Sequence, residues 1–348
     1  MAEPVRPFVS VVVPCRNERD HVAPCLASIL GNDYPADRRE VVVVDGMSND
    51  GTRDRIREAA AANPAVRLVD NPSRVTPAAL NLGIAATSGD IVLRMDAHAR
   101  YPPDYIRKLV DALERSGADN VGGVLRTLPG GPGVLAEAIA LAMRHPFGVG
   151  NAAFRTGVVA PTWVDTVPFG CFRRALFDRL GGFDPELLRN QDDEMNGRII
   201  RAGGRILLLP DVLVDYFARP ALGKLARMYY QYGYYKPLVV RKLGLVPTVR
   251  QPVPAALLVA LAVSALVAGM APSIGAPVLA ILVGTYLLAV SVATGVAWWT
   301  TRRFAALLLP AVFPVLHFAY GWGYLLGLVP AFRRGRRAST VADVALTR

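Results

Sequence analysis

Residues 88–104, SGDIVLRMDAHARYPPD, decide how this chain folds. Ile91 to Met95 is a short apolar run of strand length, and it stops at Asp96-Ala97-His98 with Pro102 and Pro103 close behind. A buried strand that hands over to a loop carrying a carboxylate and an imidazole suits an open α/β sheet, where ligands bind beyond the carboxyl ends of the strands. Asp96 and His98, two residues apart, can hold one divalent cation through an oxygen and a nitrogen. A plainer reading stays open, with Asp96 capping the helix after Pro103 and His98 an ordinary loop residue.

Upstream, Phe8 to Val13 reads as a buried β-branched strand closed by Pro14 and followed by Cys15-Arg16-Asn17-Glu18. A helix is predicted from Asp20 to Leu30. A second strand, Glu40 to Val44, ends in Asp45-Gly46-Met47-Ser48-Asn49-Asp50-Gly51-Thr52, and a charged helix runs on to about Asn63. Val66 to Asp70 gives a third strand and Thr76 to Ala86 a helix. Downstream, Pro103 to Ser116 is helical, with Tyr105, Leu109 and Leu113 on one face, and Asp119 to Leu125 is a fifth strand. Such alternation predicts a parallel sheet with helices on both sides. The first strand is not followed by GxGxxG, nor is there a GxxxxGK[ST], so dinucleotide-binding and P-loop readings lose their markers. The strand ends carry Glu18, Asp45, Asp50 and Asp96 instead. Carboxylates repel a bare pyrophosphate, so a site built from them needs a divalent cation between. Asp50, ahead of Gly51-Thr52, reads as an N-cap as readily as a site residue.

Charge divides the 348 residues. Up to Asp215 there are 25 Lys and Arg against 27 Asp and Glu; the remaining 133 residues hold 14 basic side chains and one acid, Asp343. The net charge of +11 therefore belongs to one end, where Arg and Lys clusters separate long apolar runs. That pattern points to a membrane and away from nucleic acid. Cys15, Cys25 and Cys171 form no CxxC pair, which fits a reducing compartment. The opening MAEPVRPFVSVVVP has no long apolar stretch with a cleavage site, so the polar part is expected in the cytoplasm.

VSVVVPCRNE, VVVVDGMSNDGT, the Asn81-Leu82-Gly83 helix, SGDIVLRMDAH and NQDDEMNGR occur in an order and spacing that resemble the family 2 glycosyltransferases. With DGMS, DAHARYPP and a three-part apolar tail, the chain is most similar to the membrane-bound enzymes of succinoglycan-type exopolysaccharide assembly. The resemblance covers about Phe8 to Asp215. It implies a GT-A fold and sugar transfer from a nucleotide diphosphate-sugar, UDP-linked in preference, with inversion and with Mn²⁺ or Mg²⁺. Pro14, Arg16, Asn17 and Glu18 would line the nucleotide pocket, with Asp45 near the base or ribose and Asp96 as anchor of the metal motif. This chain departs from the family at Gly46, where a second Asp is common, and at His98, which replaces the second Asp of DxD and favours Mn²⁺.

Gln191-Asp192-Asp193-Glu194 opens a helical pattern through Met195, Ile199 and Ala202, three acids in a row at the positive end of a helix. The family pattern ED-x-D-L-x-x-R, counted back from Arg198, falls on Gln191, Asp192 and Glu194. It makes Asp192 the general base, with Asp193 and Glu194 as alternatives. The resemblance places the stretch from Trp163 to Arg173 under the donor sugar, although residues such as Trp163 and Phe169 are more often plain core.

The organisation expected is a cytoplasmic catalytic domain over residues 1–218, a basic, tyrosine-rich interfacial segment over 219–250, apolar helices over 251–331 and a basic tail over 332–348. Pro252 to Met270 and Ala276 to Trp299 are long enough to cross a bilayer, in the cell's inner membrane. Two spans return Arg302-Arg303 to the cytoplasm, as the positive-inside rule wants. A third span, Phe304 to Val329, would place the arginines at 333–337 outside, so a re-entrant or bent segment at Pro310 and Pro314 stays open. Processive members of the family carry QxxRW near here, which Gln231-Tyr232-Gly233-Tyr234-Tyr235 does not match, so the resemblance implies one sugar per encounter, and the membrane tail points to a polyprenyl-linked acceptor. Two rival readings are a nucleotidyltransferase making sugar nucleotides and a non-catalytic membrane-tethered scaffold.

Overall fold

The computed structural model describes residues 6–244 and 250–329. Strand and helix alternate from the start: β1 (Val9–Cys15), α1 (Arg19–Leu30), β2 (Arg39–Asp45), α2 (Thr52–Ala62), β3 (Val66–Asp70), α3 (Thr76–Ala85) and β4 (Ile91–Arg94). These four strands are parallel neighbours in the order β3-β2-β1-β4. The Val and Ile runs of β1, β2 and β4 are buried on both faces, since helices cover each side, while β3 at the edge is only partly buried.

Beyond β4 the simple alternation stops. A two-residue strand β5 (Ala99–Arg100), α4 (Tyr105–Ser116) and β6 (Asn120–Leu128) are followed by α5 (Val134–Ala142), the single turns α6 (Pro146–Val149) and α7 (Ala153–Thr156), and β7 (Thr162–Trp163). Then come β8 (Cys171–Arg173), α8 (Arg174–Leu180), α9 (Gln191–Arg201) and β9 (Ile206–Phe217). β6 does not join β4. The three residues of β8 slip between them, antiparallel to both, and β6 pairs with β9 in parallel. The sheet is therefore mixed rather than wholly parallel, because a strand returning from a long excursion can enter in either direction whereas a βαβ crossover cannot. β5 pairs with Asp215 and Tyr216 of β9, which folds the loop around Asp96 and His98 against the far half of the sheet.

The basic segment is a long helix, α10 (Leu222–Leu243), and three apolar helices follow: α11 (Val253–Met270), α12 (Pro272–Thr301) and α13 (Leu309–Leu328), the last entered through a 3₁₀ turn at Phe304–Leu308. All three apolar segments are long and apolar enough to cross a membrane. The third is a continuous helix, with Pro310 in its first turn and Pro314 inside it, and it is the most protein-covered of the three. It packs along α10. A Cβ on Gly233 would fall 2.0 Å from the Tyr320 carbonyl oxygen, and one on Gly323 would fall 2.1 Å from that of Tyr230, so only glycine lets the backbones approach this closely. Tyr229, Tyr234 and Tyr235 are buried, so tyrosines expected among lipid headgroups are in large part covered by protein. We expect Gly323→Val to force the pair apart at a cost of about 1–3 kcal/mol, read as a lower Tm of the detergent-solubilised chain. The arginines at 333–337 and the tail over 332–348 lie outside the described residues.

The α/β part and the apolar helices also meet around α5 and α6, where Phe147 packs on Phe313 and Tyr286. Glu137 of α5 pairs with Arg303 after α12, and the His317 ring nitrogen lies 2.7 Å from the Phe147 carbonyl oxygen. The apolar helices therefore form one wall of the space beneath the sheet's carboxyl edge.

Candidate active site

Asp96 leaves the end of β4 with its carboxylate beside the Arg94 guanidinium, at 3.1 Å between Nη2 and Oδ1. Arg94 is 5 % exposed and donates through Nη1 to Asp192 in the first turn of α9. One buried cation thus ties two carboxylates separated by almost a hundred residues. The ring of Phe169 lies 5.8 Å from the guanidinium carbon. Phe169 holds a positive φ of 66°, a strained backbone setting for a bulky residue, and such strain persists where surroundings fix it. Arg94 was not among the residues singled out from sequence; the signal was a charge inside an otherwise apolar strand.

Burial pushes the Asp192 carboxyl up to about 6; Arg94 pulls it down, while Asp96 and Asp193 add to the rise. A carboxylate in that range can accept a proton at neutral pH and release it afterwards. The other acids of the helix are engaged elsewhere. Asp193 pairs with Lys236 of α10 and accepts from Thr166 Oγ1 at 3.2 Å. Glu194 is paired with Arg198 at 2.7 Å, and Arg198 also donates to the carbonyls of Leu180, Gly181 and Gly182. Glu194 and Arg198 therefore clamp the turn ahead of α9 rather than face the cavity. Asn81 clamps the same turn, exchanging two 2.8 Å hydrogen bonds with Phe183.

Two connected hollows meet at Arg94, Asp96, His98, Arg189, Gln191 and Arg219. The smaller is bordered by Pro14, Arg16, Glu18, Gly46 and Arg74 at the ends of the first strands. The larger, about 580 Å³, runs from Asp192 and Asp193 past Tyr216 to α11 and α13. Gly46 matters here. Its missing Cβ would meet the Arg16 side chain at 3.1 Å, so the absence of the family's second Asp gives Arg16 its place.

Asn17 and Asp45 serve the loops behind the smaller hollow and are not in its wall. Asn17 Oδ1 accepts from Asn49 N at 3.2 Å, and the Asn17 amide donates to Ser48 Oγ at 2.7 Å. Asp45 is fully buried, accepting from Ser48 N and Arg53 Nη1, each at 2.8 Å. Asp45→Asn is accordingly expected to lower stability by about 1–3 kcal/mol, seen in thermal melts, with the donor KM unchanged. Asp50 is not the N-cap, a position Gly51 takes, but it braces the loop ahead of α2, its Oδ1 accepting from Thr52 N at 3.1 Å and its Oδ2 from Arg19 N at 3.3 Å. Trp163 is not brought to either hollow, because β7 pairs with β9 at the sheet edge and Trp163 is covered by the Arg205 guanidinium at 4.4 Å.

Among the described residues no three His, Cys, Asp or Glu side chains converge as a metal cage. Asp96 and His98 nonetheless border both hollows, and Glu18 Oε1 lies 3.6 Å from His98 Nδ1. The oxygen and nitrogen donors of Asp96 and His98 fit Mn²⁺ or Mg²⁺ by their chemistry, and these two residues would hold such an ion.

Residues 10–179 match the family described as Glycosyl transferase family 2. The chain is 33 % identical over 248 residues to the succinoglycan biosynthesis protein ExoA of Rhizobium meliloti, covering 71 % of this chain and 74 % of that one. It is 25 % identical over 245 residues to a dolichyl N-acetyl-alpha-D-glucosaminyl phosphate 3-beta-D-2,3-diacetamido-2,3-dideoxy-beta-D-glucuronosyltransferase of Methanococcus voltae, covering 68 % and 74 %. Among solved structures, the mannosyltransferase PcManGT of Pyrobaculum calidifontis, in complex with GDP-Man and Mn²⁺, superposes with a TM-score of 0.61 over 93 % of this chain and 89 % of that one, at 24 % identity. That likeness extends through the apolar helices and gives the GT-A fold, a mixed sheet flanked by helices. Sequence identity at this level across most of both chains leaves one assignment, and the protein is a glycosyltransferase of family 2.

Proposed function

We propose that the protein transfers a sugar, with inversion and with a divalent cation, from a nucleotide diphosphate-sugar to a hydroxyl of a polyprenyl-linked acceptor during exopolysaccharide or envelope glycan synthesis. The observation that carries this reading is the meeting of Asp96 and Asp192 on Arg94 where the two hollows join. The smaller hollow suits the nucleotide, bordered by Pro14, Arg16 and Glu18, and the larger suits the acceptor. Asp96 and His98 would hold Mn²⁺ or Mg²⁺, which supplies positive charge for the departing diphosphate.

Asp192 takes the proton of the acceptor hydroxyl while that oxygen attacks the anomeric carbon. The new carbon–oxygen bond forms on the face opposite the leaving group. The old anomeric bond breaks with its electron pair on the phosphate oxygen, and the configuration inverts. Arg189 and Arg219, which border both hollows, are placed to receive the charge of the leaving diphosphate.

Relatives named for succinoglycan biosynthesis and for a dolichyl-linked sugar acceptor support the acceptor class. The apolar helices and Arg302-Arg303 support an inner-membrane site with the catalytic domain on the cytoplasmic side. The test is slow release of UDP or GDP from a panel of nucleotide sugars with Mn²⁺. Release from one donor, strongly reduced in Asp192→Asn, is expected; no release from any donor would favour a fold-keeping scaffold.

A further inference from the structure

The first turn of α9 is held from two sides, and only one of them is the sheet. Arg94 of β4 takes Asp192. The next residue, Asp193, lies about 100° further round the helix and turns to α10, where its Oδ2 meets Lys236. Lys236 is 8 % exposed, and an ammonium so enclosed depends on its counter-ion. The other Asp193 oxygen accepts from Thr166 Oγ1, and that hydroxyl accepts from Asn196 Nδ2 at 2.8 Å. Asn196 Oδ1 accepts in turn from Asn120 Nδ2 of β6 at 2.7 Å. This chain of polar contacts from α10 to β6 sets where the first turn of α9 sits.

α10 also grips the loop that leads into α9. Arg189 Nε donates to Gln231 Oε1 at 3.0 Å, Asn190 Nδ2 donates to the Tyr232 carbonyl at 2.8 Å, and Lys242 pairs with Glu186 at 2.7 Å. A Cβ on Gly197 would fall 2.3 Å from the Leu243 side chain, so α9 and α10 lie in close contact. α10 is in turn set against α13, where a Cβ on Gly327 would fall 2.3 Å from the Tyr234 carbonyl oxygen. Loop, α9, α10 and α13 are therefore packed in series. Lys236 is the charged link in that series. The side chains of Asp192 and Asp193 are each 25 % exposed, and without the ammonium the second carboxylate would repel the first across a poorly solvated gap. Moving the first turn of α9 relieves that repulsion and carries Asp192 with it.

We propose that Lys236 is a positioning residue: acting through Asp193, it fixes the Asp192 carboxylate relative to α10, and so ties the geometry of the base to the packing of α10 on the apolar helix α13. This role rests on the reading of Asp192 as general base given above. Lys236 borders the larger cavity and not the smaller hollow, so its loss should reach the chemistry without touching the nucleotide. A base displaced by a fraction of an ångström loses rate steeply, because the proton it takes must be within hydrogen-bond reach.

The test uses the full chain in detergent, with hydrolysis of UDP-glucose and GDP-mannose in Mn²⁺ counted per nucleotide-binding site and hydrogen exchange followed peptide by peptide. Lys236→Met is expected to lower turnover by about 10- to 100-fold at unchanged donor KM, and Lys236→Arg, which keeps the charge, to restore most of it. Exchange across residues 190–195 is expected to rise by about tenfold in Lys236→Met, with β1 to β4 as protected as in the native chain. Because Asp193 is the intermediary, Lys236→Met with Asp193→Asn should be no slower than Lys236→Met alone. Native turnover and exchange in Lys236→Met overturn the proposal; so does a raised donor KM, or losses that multiply in the double variant, since either would mean that Lys236 acts without Asp193. If Lys236→Met does not fold, Asp193→Asn breaks the same pair from the other side with little change of shape, and native turnover and exchange there overturn the proposal equally. Absence of hydrolysis in the native chain would end the transferase reading and this role with it, whereas native hydrolysis left intact by both variants ends this role alone.

Discussion

Asp192→Asn should lower the turnover of sugar transfer by about 10²–10⁴ while leaving donor affinity unchanged, because a positioned general base contributes that much and the amide cannot take the proton. Asn retains the shape of Asp and can still accept from Arg94, so the fold should survive. Transfer rate against donor KM, measured on the same preparation, separates lost chemistry from lost binding. The native enzyme should also show an acid limb. In the proposed role Asp192 works only when ionised, and burial raises its carboxyl to about 6, so activity is expected to fall as pH drops through that value. Asp192→Asn should have no such limb in whatever activity remains.

Arg94→Met should act on both carboxylates at once. Arg94, Asp96 and Asp192 have side chains only 6 %, 16 % and 25 % exposed, and removing the shared cation leaves two negative charges facing one another in a poorly solvated place. Breaking a buried ion pair from one side costs about 3–5 kcal/mol, to be read in thermal or denaturant unfolding. The direction of the pH effect is fixed as well. Arg94 favours the ionised form of Asp192, so its loss raises that carboxyl further and moves the acid limb to higher pH. A melting temperature and a pH–rate profile both unchanged in Arg94→Met would show that the guanidinium does not connect the two acids in solution.

The first four strands were legible because their β-branched runs end sharply in Pro14, Asp45, Asp70 and Asp96, and a βαβ crossover admits one handedness and one direction. The second half of the sheet was not. A strand as short as Cys171–Arg173 carries too few residues for any periodicity to show, yet its insertion between β4 and β6 sets the geometry beneath the site. Asp96, His98, Glu18 and Asp192 could be picked out because carboxylates and an imidazole gather at the strand ends and three acids crowd one helix start, more than capping and the helix dipole account for, at positions that match the family's motifs. Arg189 and Arg219 could not, since nothing in their local sequence distinguishes them from surface arginines.

The order of strands at the amino end, the acidic strand tips and the apolar, carboxylate-free tail were determined by the sequence itself, through side-chain pattern and charge acting over a few residues at a time. Only the tertiary structure decided which acids face the cavity and which lock the backbone, as Asp192 and Glu194 do two residues apart on one helix. It also decided that α10 lies against α13 and that the larger hollow opens toward the apolar helices. Those outcomes depend on contacts between segments far apart in the chain, where burial and the position of a distant counter-ion fix what each side chain can do.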